Sequence, residues 1–243
     1  AEELFKSAEN IIRFDFGTIR PNSRSSYWIT RAEAEVYMQR SIFLMRTGKS
    51  EEAITLGKLA VEKSKALMRM LSSVEGEPTY KYYAKGSATL ALGNVINQQI
   101  AMGQFVNAEW SLRDALKFAR ENDFNQNHMV NFNMISSDIL NGTGRFEQAF
   151  AYIASSQKIH IDQGMPKATS RWMRIRSKEL TALVGLTQWD KAYKVLQDSY
   201  EDAKGTLYEP KNTIDGKLIG LIQIKNNRID DAISVLSEAY KND

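Results

Sequence analysis

The chain has 243 residues, of which 43% are hydrophobic, 25% charged and 10% aromatic, a composition typical of a folded soluble protein. This composition excludes disordered, collagen-like and membrane-spanning chains. The net charge of +3 is too small to attract nucleic acid or an anionic membrane through the whole molecule. Cysteine is absent, which excludes disulfides, thiolate metal sites and thiol nucleophiles, and we expect no cofactor and no metal ion.

Helix-period hydrophobic patterns with only 4 prolines and 14 glycines predict a protein built of helices alone. An amphipathic helix over 2–13 is followed by an irregular connector over 14–29, where Phe14, Phe16, Tyr27 and Trp28 are expected to cover the open end of the array. Further helices are predicted at 30–47, 50–71, 80–102, 105–121, 125–141, 145–163, 166–186, 189–204, 211–226 and 229–241. We therefore divide the chain into residues 1–29, helix and connector, and residues 30–243, one helical array that we expect to belong to a longer protein.

One turn-and-helix pattern occurs five times and centres on an alanine. These alanines are Ala53, Ala108, Ala149, Ala192 and Ala232. Five residues before each alanine lies a predicted helix end, at Gly48, Gly103, Gly144, Thr187 and Asn227. The three glycines suit the left-handed conformation of a helix C-terminus. Three residues earlier the next helix is predicted to begin, at Ser50, Phe105, Phe146, Trp189 and Ile229. Seven residues later the side chain is small again, at Ala60, Ala115, Ser156, Ser199 and Ala239, so both small positions share one helix face.

From about Ser26 to its end the chain resembles the tetratricopeptide repeat superfamily, whose motif Gly-x-Tyr/Phe-x-x-Ala matches Gly144 to Ala149. The alanines lie 40 to 43 residues apart after a first interval of 55, longer than the usual period of about 34. The long first helices are similar to those of kinesin light chains, bacterial peptide-pheromone receptors and arrays preceding protease modules. The resemblance implies an all-α, right-handed solenoid of five antiparallel helix pairs plus an N-terminal helix. It also implies a non-catalytic scaffold that binds a protein or peptide in its concave groove.

Basic residues on the predicted helix 166–186 mark one candidate site in that groove. Their spacings of 4, 3 and 4 put Lys167, Arg171, Arg174 and Lys178 on one stripe. Alignment with the other units adds the groove positions Asn97, Asn127, Asn131 and Asp138. Amide side chains can hold a peptide backbone and basic groups can bind a carboxylate, so the pattern predicts recognition of an acidic or C-terminal peptide segment. The alternative is that the four charges form a solvated helix face.

Residues for catalysis or nucleic-acid binding are sparse. His128 and His160 lie in no metal-ligand or acid–base pattern, so we predict structural or surface roles for both and no enzyme activity. The segment 141–144 lacks the Lys-Ser/Thr and the preceding strand of a phosphate loop and is interpreted as a helix end. Trp110 and Trp189 fall near the packing columns and are predicted to lie in the core, which disfavours an aromatic platform for nucleic acid.

Two alternatives remain for the partner. The chain can be a regulatory or sensory module of a larger signalling or protease protein that binds its own effector domain. It can also self-associate through its last helix, where Ile233, Leu236 and Tyr240 are expected near an uncovered end. No apolar run is long enough to predict a membrane span, and the compartment stays open between the cytoplasm and, for a mature exported chain, the periplasm or the exterior.

Overall fold

A computed structural model describes residues 2–14, 23–71 and 78–242. These residues form helices and no strand, which confirms the all-α prediction. The helices are α1 (Glu2–Phe14), α2 (Arg24–Arg46), α3 (Ser50–Met70), α4 (Pro78–Ala101), α5 (Phe105–Glu121), α6 (Gln126–Gly142), α7 (Phe146–Asp162), α8 (Ser170–Gly185), α9 (Trp189–Ala203), α10 (Pro210–Thr213), α11 (Gly216–Lys225) and α12 (Ile229–Asn242). None of the helices described is long and apolar enough to span a bilayer. The chain divides into two compact units, Ala1–Ile135 and Ser136–Asp243.

In the first unit each helix from α1 to α4 packs against the next helix in the chain. Helix α2 contacts α3 and α4, and α4 contacts α5. Buried Tyr27, Leu67 and Tyr80 form one apolar cluster of this unit, while Met38 and Val95 belong to another. The burial of these side chains is the main driving force for the packing of α2, α3 and α4.

Helix α1 is attached to α2 by one charged cluster and one aromatic pair. The guanidinium of Arg40 donates to Glu9 at 2.8 Å and to Glu2 at 3.2 Å. The ring centroids of Phe5 and Phe43 lie 6.0 Å apart. Hydrogen bonds from Arg40 lower the pKa of Glu2, so this carboxylate stays charged to lower pH than an isolated one.

In the second unit α8 packs between α7 and α9, and α11 packs against α9 and α12. The short helix α10 contacts α8 and α9. The core of this unit contains the fully buried side chains of Leu180, Leu196, Ile219 and Ile222. Helix α8 is therefore contacted by several helices, and Arg174 is the exposed residue within 171–184.

Five turns share one geometry, which the sequence predicts at the three glycines. The five predicted helix ends all have positive φ, namely Gly48 (80°), Gly103 (70°), Gly144 (74°), Thr187 (55°) and Asn227 (58°). In each turn the next residue donates its N–H to the carbonyl five positions earlier: Lys49 to Leu44, Gln104 to Gln99, Arg145 to Leu140, Gln188 to Leu183 and Arg228 to Gln223. These bonds define a Schellman motif, which satisfies the free carbonyls of the preceding helix.

The helix that follows each turn begins where the sequence predicts, at Ser50, Phe105, Phe146, Trp189 and Ile229. The five central alanines are 0–1% exposed. Of the small residues seven positions later, four are fully buried; the fifth, Ala239, is half-buried against Gly216. Small side chains at these positions allow neighbouring helices to approach closely.

Three predicted helix boundaries are wrong, and a capping group explains each. Helix α2 begins at residue 24 rather than 30, because Ser23 accepts a hydrogen bond from Ser26 N at 3.1 Å. Helix α8 begins at residue 170 rather than 166, because Thr169 caps it by accepting from Trp172 N at 3.2 Å. The predicted helix 211–226 is two helices, since Ile214 is extended and Asp215 caps α11 through Lys217 N at 2.8 Å.

The predicted positions of the aromatic side chains are confirmed only in part. Tyr27 is fully buried and donates its hydroxyl to Tyr80 O at 2.8 Å, but Trp28 is 41% exposed. The side chains of Phe14 and Phe16 lie outside the described residues. Trp110 is 59% exposed, so its predicted core position is wrong; two residues after buried Ala108, it points away from the packed face. Trp189 is half-buried.

Candidate functional site

One face of α8 carries three of the four predicted basic residues. Arg171, Arg174 and Lys178 lie in the helix at spacings of three and four residues and so share one face. Lys167 lies before the Thr169 cap and is not part of this helical stripe, which corrects the prediction. Its ammonium lies 3.3 Å from the carboxylate of Asp202 and 5.7 Å from the centroid of the Trp172 ring.

The middle of this face is fixed by contacts with the end of α6. Lys178 Nζ lies 2.7 Å from Asp138 Oδ1, and both side chains are about a quarter exposed. Asn141, one helical turn after Asp138, donates its amide to the backbone carbonyl of Lys178 at 3.2 Å. Two of the predicted groove residues, Asp138 and Lys178, therefore meet, and Asn141 joins them. We call Asp138, Asn141, Arg171, Arg174 and Lys178 the α6–α8 surface.

Burial dominates the electrostatics of Asp138. Its loss of hydration raises the pKa of this carboxyl above the ordinary value of 3.8, although Lys178 and Arg174 act in the opposite direction. The charge of Asp138 thus offsets those of the three basic residues only in part, because burial makes this carboxyl costly to ionise. The five residues of the α6–α8 surface include three cations and one partly buried anion.

Arg174 acts on Asp138 only through its charge, not through an ion pair. Its side chain is exposed, and it forms no ion pair with a carboxylate in the described part of the chain. Arg171 is half-buried and has a partner of its own. Lys178 is held by Asp138. Arg174 is therefore the cation of the α6–α8 surface whose guanidinium N–H groups are open to an external acceptor.

The predicted amide positions belong to the first unit. Asn97 is exposed on α4, whereas Asn127 and Asn131 are half-buried near the start of α6. Asn127 has an interaction within the protein. We consider these residues separately from the α6–α8 surface, which lies wholly in the second unit.

Sequence reasoning missed Arg176, which lies on the covered side of α8. Its guanidinium donates to Glu179 at 2.8 Å and to the hydroxyl of Ser199 at 3.3 Å. It lines a cleft of about 660 Å³ between α7, α8 and α9. The sequence does carry a signal for Arg176. This arginine interrupts the apolar stripe of α8, and the small-residue column of α9 has a serine at the facing position instead of an alanine. Its charge is paired internally, so it serves to join α8 to α9.

Both histidines pack against aromatic rings. His160 is fully buried, its Nε2 lies 2.9 Å from Pro166 O, and its ring centroid lies 5.1 Å from that of Trp172. His128 is 6% exposed and lies 5.2 Å from the Phe124 ring. These positions agree with the predicted structural roles. Among the described residues no group of three or more histidine or carboxylate side chains is arranged to hold a metal ion.

Residues 141–144 form the end of α6 and the turn that follows. Helix α6 ends at Gly142, and Gly144 has the positive φ of the Schellman motif. The prediction of a helix end rather than a phosphate loop is confirmed.

Comparison with known proteins gives no family assignment. No protein-family model matches this chain, and no curated protein sequence matches it.

Proposed function

We propose that this protein is a non-catalytic scaffold of the tetratricopeptide type that binds an acidic or C-terminal peptide segment on its α6–α8 surface. The observation that carries the proposal is exposed Arg174, which has no carboxylate partner among the described residues and lies beside the Lys178–Asp138 pair. A peptide carboxylate that reaches Arg174 can accept two parallel hydrogen bonds from the guanidinium.

The five Schellman turns and the buried alanine columns support the tetratricopeptide architecture. In that superfamily the first helix of each pair lines the concave side of a right-handed solenoid. The turn pattern makes α6 and α8 first helices, since each precedes a Schellman turn. The proposal therefore places the α6–α8 surface on the ligand-binding side of the array.

The arrangement around Lys178 supports recognition rather than simple solvation of charge. Asp138 holds Lys178, and Asn141 fixes the backbone of α8 at the same point, so this part of the surface is ordered before a partner arrives. Preorganisation lowers the entropy lost on binding. A single exposed ion pair contributes only about 0.2–1 kcal/mol, so a partner must also contact neighbouring groups.

The test is charge reversal at Arg174, because this side chain can be changed without breaking an internal ion pair. Arg174→Glu is expected to leave the melting temperature nearly unchanged and to reduce the amount of partner that co-purifies with the protein from its native source, measured by quantitative mass spectrometry. Lys194→Glu on α9 is the matched control, since it makes the same charge change at another exposed residue of the second unit. Equal recovery of the partner with wild type and Arg174→Glu would reject the α6–α8 surface as the site. Unfolding of Arg174→Glu would show that Arg174 has been placed on the wrong face.

A second candidate is self-association through α12, favoured by its uncovered apolar stripe. Ile233 is 58% exposed and Tyr240 is 85% exposed, as predicted, whereas Leu236 is half-buried against Gly220. The equivalent residues of α9, Tyr193 and Tyr200, pack into the core of the second unit. A second copy that covers the stripe would give a concentration-dependent sedimentation coefficient, and Ile233→Ser combined with Tyr240→Ser would abolish that dependence. A coefficient independent of concentration in the wild type would reject this candidate.

A further inference from the structure

A separate aromatic and basic site lies in the first unit, where α2 and α4 pack together. The guanidinium carbon of Arg31 lies 4.3 Å from the centroid of the Tyr83 ring and 5.1 Å from that of Trp28. The two ring centroids are 6.1 Å apart. Arg31 therefore lies over the junction of the two rings, Trp28 from its own helix and Tyr83 from α4. Such contacts orient a guanidinium while its N–H edge stays available for hydrogen bonds.

Within the described part of the chain, no neighbouring carboxylate neutralises the charge of Arg31. Arg31 forms no ion pair with any acidic residue that the structure describes. The nearby acidic residues of α2 are engaged elsewhere: Glu33 with Lys63 at 2.5 Å and Glu35 with the amide of Gln39 at 2.8 Å. Aromatic rings rather than an anion thus hold this cation in place. Little side-chain entropy remains to be lost when an external anion binds it.

The rings beside Arg31 form an accessible apolar surface. Trp28 is 41% exposed, Tyr83 is 37% exposed and Tyr82 is 62% exposed, with the Tyr82 and Tyr83 ring centroids 5.9 Å apart. Buried Tyr80 packs against Trp28, and the two ring centroids lie 5.6 Å apart. Tryptophan, tyrosine and arginine are the residues that contribute most binding energy in protein interfaces. An exposed cluster of these three types is unusual for a surface without a partner.

We propose that Trp28, Arg31, Tyr82 and Tyr83 form a peptide-binding site for a segment in which an aspartate or glutamate is adjacent to a large apolar side chain. The carboxylate accepts hydrogen bonds from Arg31, and the apolar side chain packs on the exposed faces of Tyr82 and Tyr83. Charge complementarity selects the acidic group, because Arg31 is uncompensated. The aromatic rings select the apolar neighbour. This site is independent of the α6–α8 surface, and neither proposal depends on the other.

The probe is a blocked synthetic peptide of alternating aspartate and phenylalanine, titrated into the ¹⁵N-labelled full chain and followed by NMR. Two signals report on the site directly, the indole N–H of Trp28 and the Nε–H of Arg31. We expect both to shift on titration. A peptide with asparagine in place of aspartate, or alanine in place of phenylalanine, is expected to bind at least about tenfold more weakly, since each removes one of the two contacts. These peptide controls leave the protein unchanged, so they do not depend on the folding of a variant.

The protein variant is Arg31→Met, which keeps an unbranched side chain against the rings and removes the charge. It is expected to lower affinity for the Asp–Phe peptide about tenfold or more, and Arg31→Lys, which keeps the charge without the planar group, to give an intermediate loss. Arg113→Met is the matched control, because Arg113 lies 5.6 Å from the Trp110 ring on α5 of the same unit, over one exposed aromatic ring instead of two. It is expected to leave the affinity unchanged.

Three results would overturn the proposal. The first is an Asp–Phe titration that does not shift the Trp28 indole signal. The second is an equal loss of affinity in Arg31→Met and Arg113→Met, which would indicate general attraction between an acidic peptide and surface cations. The third is complete displacement of the peptide by an equal concentration of inorganic phosphate, which would indicate a general anion site without peptide recognition.

Discussion

Replacing Gly57 by alanine is expected to destabilise the first unit, although the same change stabilises most exposed helix interiors. Gly57 lies in the middle of α3 and is buried. A Cβ atom at this position would lie 2.9 Å from Val95 Cγ2 and 3.2 Å from Ser41 Oγ. Ser41 cannot easily move away, because it donates to Ala53 O at 2.7 Å and accepts from Gln98 Nε2 at 2.5 Å.

The magnitude follows from two opposing terms. Alanine lowers the conformational entropy of the unfolded chain and favours the helix by about 1 kcal/mol. Overpacking against Val95 and Ser41 costs about 1–3 kcal/mol. Gly57→Ala should therefore lower the free energy of unfolding by about 0–2 kcal/mol.

Gly86→Ala in α4 is the matched control. Gly86 is also inside a helix of the first unit, but a Cβ atom there meets nothing within 4 Å. It should gain about 0.5–1 kcal/mol from helix propensity alone. The difference between the two variants isolates the steric term, because both gain the same propensity.

Urea unfolding followed by circular dichroism measures this difference, and hydrogen exchange of α3 peptides assigns it to the first unit. The transition midpoint should fall or stay constant for Gly57→Ala and rise for Gly86→Ala, with equal m-values. An equal rise in both variants would refute the close approach of α2, α3 and α4 around Gly57.

Two further predictions concern the second unit. Because the pKa of Asp138 is raised in the folded protein, its carboxyl stabilises the fold while protonated and loses that contribution as the pH rises above 3.8. The melting temperature of wild type should therefore fall relative to that of Asp138→Asn over this interval. Thermal unfolding of both proteins from about pH 3 to about pH 7 measures this trend, and the opposite slope would show that Lys178 rather than burial controls Asp138. Ala192→Leu should cost about 1–3 kcal/mol, because Ala192 is fully buried between helices. Ala154→Leu, at an exposed position of α7, should change the free energy of unfolding by less than about 0.5 kcal/mol in the same denaturation assay.

The turns and the packing columns were predictable because their chemistry is local. A helix end two residues before an apolar or small helix start and five before an alanine is enough to locate the turns at Gly103 and Thr187. Thr187 is informative because a β-branched residue with positive φ is uncommon. The sequence pattern predicted a helix end at Thr187, and the structure adds that its backbone is left-handed like that of the three glycines.

The start of α8 was mispredicted because two signals compete over four residues. Proline at 166 suits the first turn of a helix, but Thr169 supplies a side-chain cap and excludes Lys167 from the stripe. The break between α10 and α11 has the same origin, since Asp215 caps a second helix inside an apolar stretch. Capping residues inside a periodic segment are visible in the sequence, but whether they cap depends on the packing of the neighbouring helices.

The candidate sites were predictable only where one helix carries them. The spacing of Arg171, Arg174 and Lys178 is a property of α8 alone. The partner of Arg176 is Ser199 on α9, and the partner of Arg31 is Tyr83 on α4, more than fifty residues away along the chain. No periodicity in the sequence reports such contacts, because they depend on the register between helices.

The five Schellman turns have a consequence for how the protein can change during evolution. Each turn is closed by hydrogen bonds between residues no more than five positions apart, so its geometry does not depend on the length of the helix that precedes it. The alanines can therefore be 40 residues apart in one case and 55 in another while the joint itself stays the same. A helix pair with its turn is a transferable module, which duplication or deletion can add or remove without redesigning its neighbours.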